Sequence, residues 1–346
     1  MTSQIRLHRH AVGRRFGLPL VAALAATGCM ALDIAGRGVP SGAHVRTFTL
    51  ETGPVDITAG HGHHGPQAAP VRVVAPFDGW IHGFTWEVVG PNGESLSRDL
   101  LHHLKVSAPD RRELFSHQML RIVGAGRETE VIDLPTQVGY RVRAGDPLLL
   151  TAMLHSPTGE GVPGVRVRLK LRYTREGSWR SPRSVFPFFA QVTGPGTASS
   201  YDLPSGRSER ATVLRPAIAG RILGLGGHVH RYGKELRLEN ATTGEVLWRT
   251  TPEIDGSGAV VRVPYDVFLL SGGISVSVDD EYRFVATYEN PTGETIVDGG
   301  MATLGGLFLP AGPWPAADTT HPIYVWDMAR EMGTHGAVTE GHSGHE

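Results

Sequence analysis

The run VRVRLKLRYT, residues 165–174, alternates apolar with basic or polar side chains at every step. Successive side chains of a strand point to opposite faces, whereas a helix would scatter these residues around its circumference. Only a half-exposed β-strand gives such a run one apolar and one wet face. Other β-rich runs have similar length: GWIHGFTWEVV at 79–89, LLHHLKVS at 100–107 and GYRVRAGDPLLLTAMLH at 139–155. The 45 glycines and 24 prolines suit short strands joined by turns, and no segment sustains a helical period. The expected fold is all-β, with two antiparallel β-sandwich domains of jelly-roll type lying side by side.

A chain of 346 residues is long enough for two ordinary domains. The expected division places an export signal at 1–29 and a leader with the first strand and a histidine-rich turn at 30–70. A first β domain follows at 71–178, a Pro-, Gly- and Ser-rich linker at 179–210, a second β domain at 211–327, and a flexible histidine-containing tail at 328–346. An internal echo supports two related halves: AMLHSPTGE at 152–160 parallels ATYENPTGE at 286–294, each a strand running into a Pro-Thr-Gly turn.

Charge excludes one large class of partner. The formal net charge is −1, so nothing draws the chain toward nucleic acid. Arg6, Arg9, Arg14 and Arg15 precede the apolar run FGLPLVAALAATGC, which is too short to span a membrane and reads as an export signal. It ends at Cys29, the single cysteine, placed as in a bacterial lipobox. The expectation is therefore an exported lipoprotein, periplasmic or at the cell surface, anchored to the membrane through Cys29 and otherwise a monomer. One cysteine permits no intrachain disulfide, so a metal site here must use His, Met or carboxylates.

Histidine is plentiful, with 17 residues, several of them grouped. The groups are His61, His63 and His64; His102 and His103; His228 and His230; and His342 with His345 in the tail. In GGHVHRYGKELRLEN, His228 and His230 share one strand face while Val229 turns away, so both imidazoles can reach one ion. His102 and His103 are adjacent and would face opposite ways in a regular strand. Both can serve one metal only at a strand end or a bulge, or through different ring nitrogens. His155 follows in the first domain, and Met301 lies between glycines in VDGGMATLGG in the second. A thioether with two imidazoles favours Cu(I), whereas three imidazoles suit copper or zinc.

The order His-His and a later His in one β domain, then His-x-His and Met in a second, resembles the type II copper, ascorbate-dependent monooxygenases. That family includes peptidylglycine α-hydroxylating monooxygenase and dopamine β-monooxygenase. The similarity runs over roughly residues 71–309, through LPTQVGYRVRAGDPLLLTAMLH and GGHVHRYGKELRLEN. The resemblance implies two copper ions per chain. His228, His230 and Met301 would hold the catalytic copper that activates O2, and His102, His103 and His155 the copper that delivers the second electron. It further implies ascorbate or another one-electron donor as co-substrate, and insertion of oxygen into a C–H bond of a small-molecule substrate.

The chain departs from the family in two ways. It has no disulfide framework, and Gly226 stands where the peptide enzyme places an arginine for the substrate carboxylate. That departure implies a neutral or apolar substrate, since a bound carboxylate needs a paired cation. Two other readings compete. A non-enzymatic copper-binding lipoprotein would use the His-rich tracts for capture, and a cupin-type dioxygenase would use His228 and His230 with Glu235. His82, His117 and His321 read as structural or surface residues.

Overall fold

The computed structural model describes residues 45–333, except 60–64, 127–128, 130–131, 178–180 and 269–270. The fold is all-β, built of antiparallel sheets with a single α-helix among the described residues, Pro322–Glu331. No helix among those residues is long and apolar enough to cross a membrane. The export segment with Cys29, and His61, His63, His64, His342 and His345, lie outside the described residues.

The alternating run at 165–174 belongs to the strand Val162–Arg175, which pairs with Val45–Glu51 on one side and Gly79–Val89 on the other. Its Val165, Val167, Leu169 and Leu171 are buried. On the opposite face Arg166 and Arg168 pair with Glu51, Arg168 and Lys170 with Glu87, and Arg172 with Asp133. These half-exposed pairs contribute little each, and the buried face is what fixes the register. Packed against this sheet is a four-stranded one, ordered Val71–Val74, Pro147–Leu154, Leu101–Arg112, Met119–Ala125. One apolar cluster fills the gap, with Phe84, Trp86, Leu104, Val106, Leu150 and Leu169 among its members.

The second sandwich repeats the arrangement. One sheet is ordered Phe186–Gln191, Ala302–Pro310, Gly220–Val229, Asp266–Val267; the other Gly206–Leu214, Tyr282–Asn290, Gly233–Asn240, Glu245–Thr250. Phe188, Leu225, Leu238, Phe284, Tyr288 and Phe308 lie in the core between them. Leu114 and Phe115, from the hairpin after the first-sandwich strand Leu101–Arg112, enter this second core. Phe115 meets Phe188 edge to face at 5.6 Å, and Trp314 stacks on Phe186 at 4.2 Å. The sandwiches thus share apolar surface across a close junction.

Two expectations about organisation are corrected. The segment 179–210 is no simple linker, because Phe186–Gln191 is a full strand of the second sandwich, in register from Phe186↔Phe308 to Gln191↔Thr303. The surrounding Pro, Gly and Ser turns mask its alternation of Phe186, Phe188 and Ala190 toward the core. The tail from 328 is in part the end of the Pro322–Glu331 helix. That helix escaped the apolar pattern because Asp327 and Glu331, two of its three buried residues, are charged. The two Pro-Thr-Gly turns also occupy unlike places. The Pro147–Leu154 strand lies in the sheet that carries His102 and His103, whereas Tyr282–Asn290 lies in the sheet opposite the His228 strand.

Candidate metal centre

Alternation within each sheet sorts the histidines onto one side of each sandwich. On the His228 strand, Leu225 and Val229 are buried in the core, which leaves Gly224, Gly226 and His228 on the other face. Its neighbour pairs His228 with Thr303 and Gly226 with Gly305. On the first-domain strand, Leu104 and Val106 point into the core, so His103 and Lys105 face away from it. Opposite them across the ladder stand Met153 and Thr151. The ladder slips between Leu101 and His103, and this irregularity lets two adjacent histidines come to the same place.

The outward faces of the two sheets meet. Five imidazoles form a row: His155 to His102 at 5.4 Å between ring centroids, His102 to His103 at 4.1 Å, His103 to His228 at 6.4 Å, and His228 to His230 at 5.2 Å. The first three belong to one sandwich and the last two to the other. The two sequence-predicted groups therefore lie side by side rather than apart. Among the described residues, no three His, Cys, Asp or Glu side chains already converge on one point as a ligand shell. His103 titrates well below the ordinary histidine range, first because it is desolvated and then through His102 and His228. A neutral imidazole is also the form that binds metal.

Met301 sits at the end of the row. His230 donates its backbone N–H to the Met301 carbonyl at 2.9 Å, which places the two residues opposite one another. The buried Tyr288 hydroxyl accepts the Met301 N–H at 3.1 Å and donates to its carbonyl at 2.5 Å, fixing that backbone from the core side. Just past His230 the chain turns sharply. Tyr232 has φ +68, a left-handed conformation that costs a bulky residue roughly 1–3 kcal/mol. Hydrogen bonds hold it there: Tyr232 N–H to the Gly258 carbonyl and Glu289 N–H to the Tyr232 carbonyl.

Three residues that sequence reasoning missed shape the surroundings. Met153 puts its sulfur 3.2 Å from His102 Nδ1. Tyr265 lies over the glycines before the histidine pair; a Cβ on Gly226 would fall 2.5 Å from its Cδ2, and one on Gly224 2.5 Å from its hydroxyl. Phe189 reaches across from the second sandwich, and a Cβ on Gly124 would fall 2.8 Å from its ring. Only the approach of segments distant in the chain brings these rings to the glycines, so no local spacing signals them.

The remaining candidates separate cleanly. His82 is buried in the first sandwich, with Nδ1 2.6 Å from the Val138 carbonyl and Nε2 2.8 Å from Thr174 Oγ1. Burial holds its pKa below the ordinary value. His117 and His321 stack on one another in parallel at 3.7 Å, beside Arg112. Glu235 lies on Gly233–Asn240, in the sheet opposite His228, paired with Arg237 at 2.5 Å, so a cupin-type ligand set is not assembled. Arg231 donates from Nε to the Ser257 carbonyl at 2.8 Å.

A charged cluster flanks the same sheet. Glu331 of the helix pairs with Lys105 and accepts from Thr151 at 2.8 Å, while Asp327 accepts from the Met119 N–H at 3.0 Å and Gln118 at 3.2 Å. Lys105 and hydrogen bonding outweigh burial and hold Glu331 at about 2. These bonds fix the helix over the end of the sheet next to His103.

No protein-family model matches the chain, and no curated protein matches it. Among solved structures, the mavirus major capsid protein aligns at 8% identity with a TM-score of 0.24, covering 86% of this chain and 93% of that one. A structure of Sulfolobus Turreted Icosahedral Virus aligns at 8% identity with a TM-score of 0.17, covering 75% of this chain and 58% of that one. Likeness at this level carries no argument, and the all-β description rests on the sheets themselves.

Proposed function

We propose that the chain is an exported, copper-dependent monooxygenase-like protein that binds two copper ions and hydroxylates a neutral, apolar small molecule. The row of five imidazoles across the junction, ending at Met301, carries this reading. The donor chemistry fits: imidazole and thioether together suit copper in both common oxidation states. His102, His103 and His155 would hold one ion, and His228, His230 and Met301 the other. Copper, when bound, supplies O2 activation and one-electron chemistry, with ascorbate or another donor as reductant.

The chain's own residues supply position and environment. Tyr288 fixes the Met301 backbone, and the Tyr232 turn sets the end of the His230 segment. The imidazoles of the two sets approach to 6.4 Å, so little more than a ring-to-ring gap separates them. Tyr265 covers the position where a substrate-anchoring arginine would have to stand, and Phe189 adds a second ring at the same junction. An ionised substrate would find no cation in that spot to offset its desolvation.

The test is metal counting after copper loading, with His228→Ala and His102→Ala as variants. Two coppers in the wild type and one in each variant is the expected result. Loss of both or of neither in either variant overturns the two-site assignment. Oxygen uptake with ascorbate then separates an enzyme from a carrier: copper bound without any ascorbate-dependent uptake favours the copper-binding lipoprotein.

A further inference from the structure

Met153 has no part in the ligand pattern that the sequence suggested, yet it lies inside the first-sandwich group. It is the cross-strand partner of His103, so both side chains leave the same face of the sheet. Its sulfur is 3.2 Å from His102 Nδ1. A nitrogen at about 2.0 Å and a sulfur at about 2.3 Å from one ion stand roughly 3.5 Å apart at the tetrahedral angle, and about 3.2 Å apart at an angle roughly 10–15° narrower. The observed pair, at 3.2 Å, is therefore within a few tenths of an ångström of the span of two donors on one metal. Its neighbours are donors as well: His103 is 4.1 Å and His155 5.4 Å from the His102 ring.

A methionine in a core normally fills an apolar gap. Met153 is instead half-buried on the outward face of its strand. Leu150, Ala152 and Leu154 of the same strand do the core packing. The side chain is thus spared from that role and set against an imidazole nitrogen.

We propose that Met153 is a ligand of the metal held by His102, which makes the first-sandwich centre an imidazole–thioether site that favours Cu(I). The proposal rests on the copper-binding reading above. It gives both sandwiches one soft donor, Met153 in the first and Met301 in the second, so each would hold reduced copper tightly.

The experiment uses the full chain loaded with Cu(I) alone and reads sulfur in the copper coordination shell by X-ray absorption. Met153→Leu and Met301→Leu nearly conserve volume and leave the strands intact. In the wild type about one sulfur per copper is expected; each single variant should retain half of that signal, and the double variant none. Cu(I) affinity of one of the two sites should fall on the order of tenfold in Met153→Leu, a difference of about 1.4 kcal/mol. Selenomethionine protein carrying Met301→Leu gives a second readout independent of removing Met153: a copper–selenium distance there must come from another methionine and should vanish in the double variant. Two coppers bound with an unchanged sulfur shell in Met153→Leu would overturn the proposal and leave the copper reading standing. Failure of the wild type to bind copper overturns both.

Discussion

Glu113 joins the two sandwiches, and its replacement by glutamine puts the close junction to a quantitative test. The side chain is 1% exposed. Oε1 accepts the Arg121 N–H of the first sandwich at 2.8 Å, and Oε2 accepts the Phe189 N–H of the second at 3.0 Å. Burial is the largest influence on its carboxyl and raises it from 4.5 to about 8, against the pull of the Arg121 charge and the two amide bonds. At about 1.4 kcal/mol per pH unit, that difference corresponds to roughly 5 kcal/mol. The folded state keeps a proton that the unfolded chain has released. The stabilisation is therefore fully present below pH 4.5 and is lost as pH rises through about 8. Between pH 5.5 and 7.5 the loss from this one group is roughly 2–3 kcal/mol.

Glu113→Gln does not titrate, and its amide nitrogen would face one of the two N–H donors. Losing that hydrogen bond costs about 1–3 kcal/mol. Urea unfolding across a pH series should show the variant less stable than the wild type near pH 5. The gap should close, or reverse, by pH 7.5. Stability curves that run parallel from pH 5 to 8 would refute the idea that Glu113 carries a proton at the junction.

Two further outcomes follow, one from a single contact and one from the sequence of the first residues. Gly226→Ala should cost about 1–3 kcal/mol, because its Cβ would fall 2.5 Å from the Tyr265 ring, and Tyr265→Ala should recover much of that loss in the double variant; equal unfolding midpoints for wild type and Gly226→Ala would show that the ring moves away freely. Cys29→Ser should turn a membrane-associated form into a soluble or unprocessed one, given the basic start and short apolar run before the cysteine; wild-type protein found in the cytoplasm with its first residues intact would refute the export reading.

Strand alternation made the fold class legible from sequence, because the two-residue period of a strand is local. The run 165–174 shows this: Val165, Val167, Leu169 and Leu171 lie inside, as their spacing requires. The same local rule put His228 and His230 on one face. It could also state the condition for His102 and His103, a break in the strand, and the ladder does slip at that point. Tertiary structure alone decided how the groups relate. His103 lies 6.4 Å from His228 because two sheets from different sandwiches meet there, 125 residues apart in the chain (228 − 103). Met153 meets His102 only through cross-strand pairing, and Tyr265 covers Gly226 only through the folding of a distant loop. The helix Pro322–Glu331 was hidden for a related reason: its buried Asp327 and Glu331 are matched by Arg121 and Lys105 on a sheet some 200 residues earlier. Spacing reports what a strand does to its own side chains. Which strand faces which is set by long-range burial and pairing, and that is where the candidate metal centre takes its form.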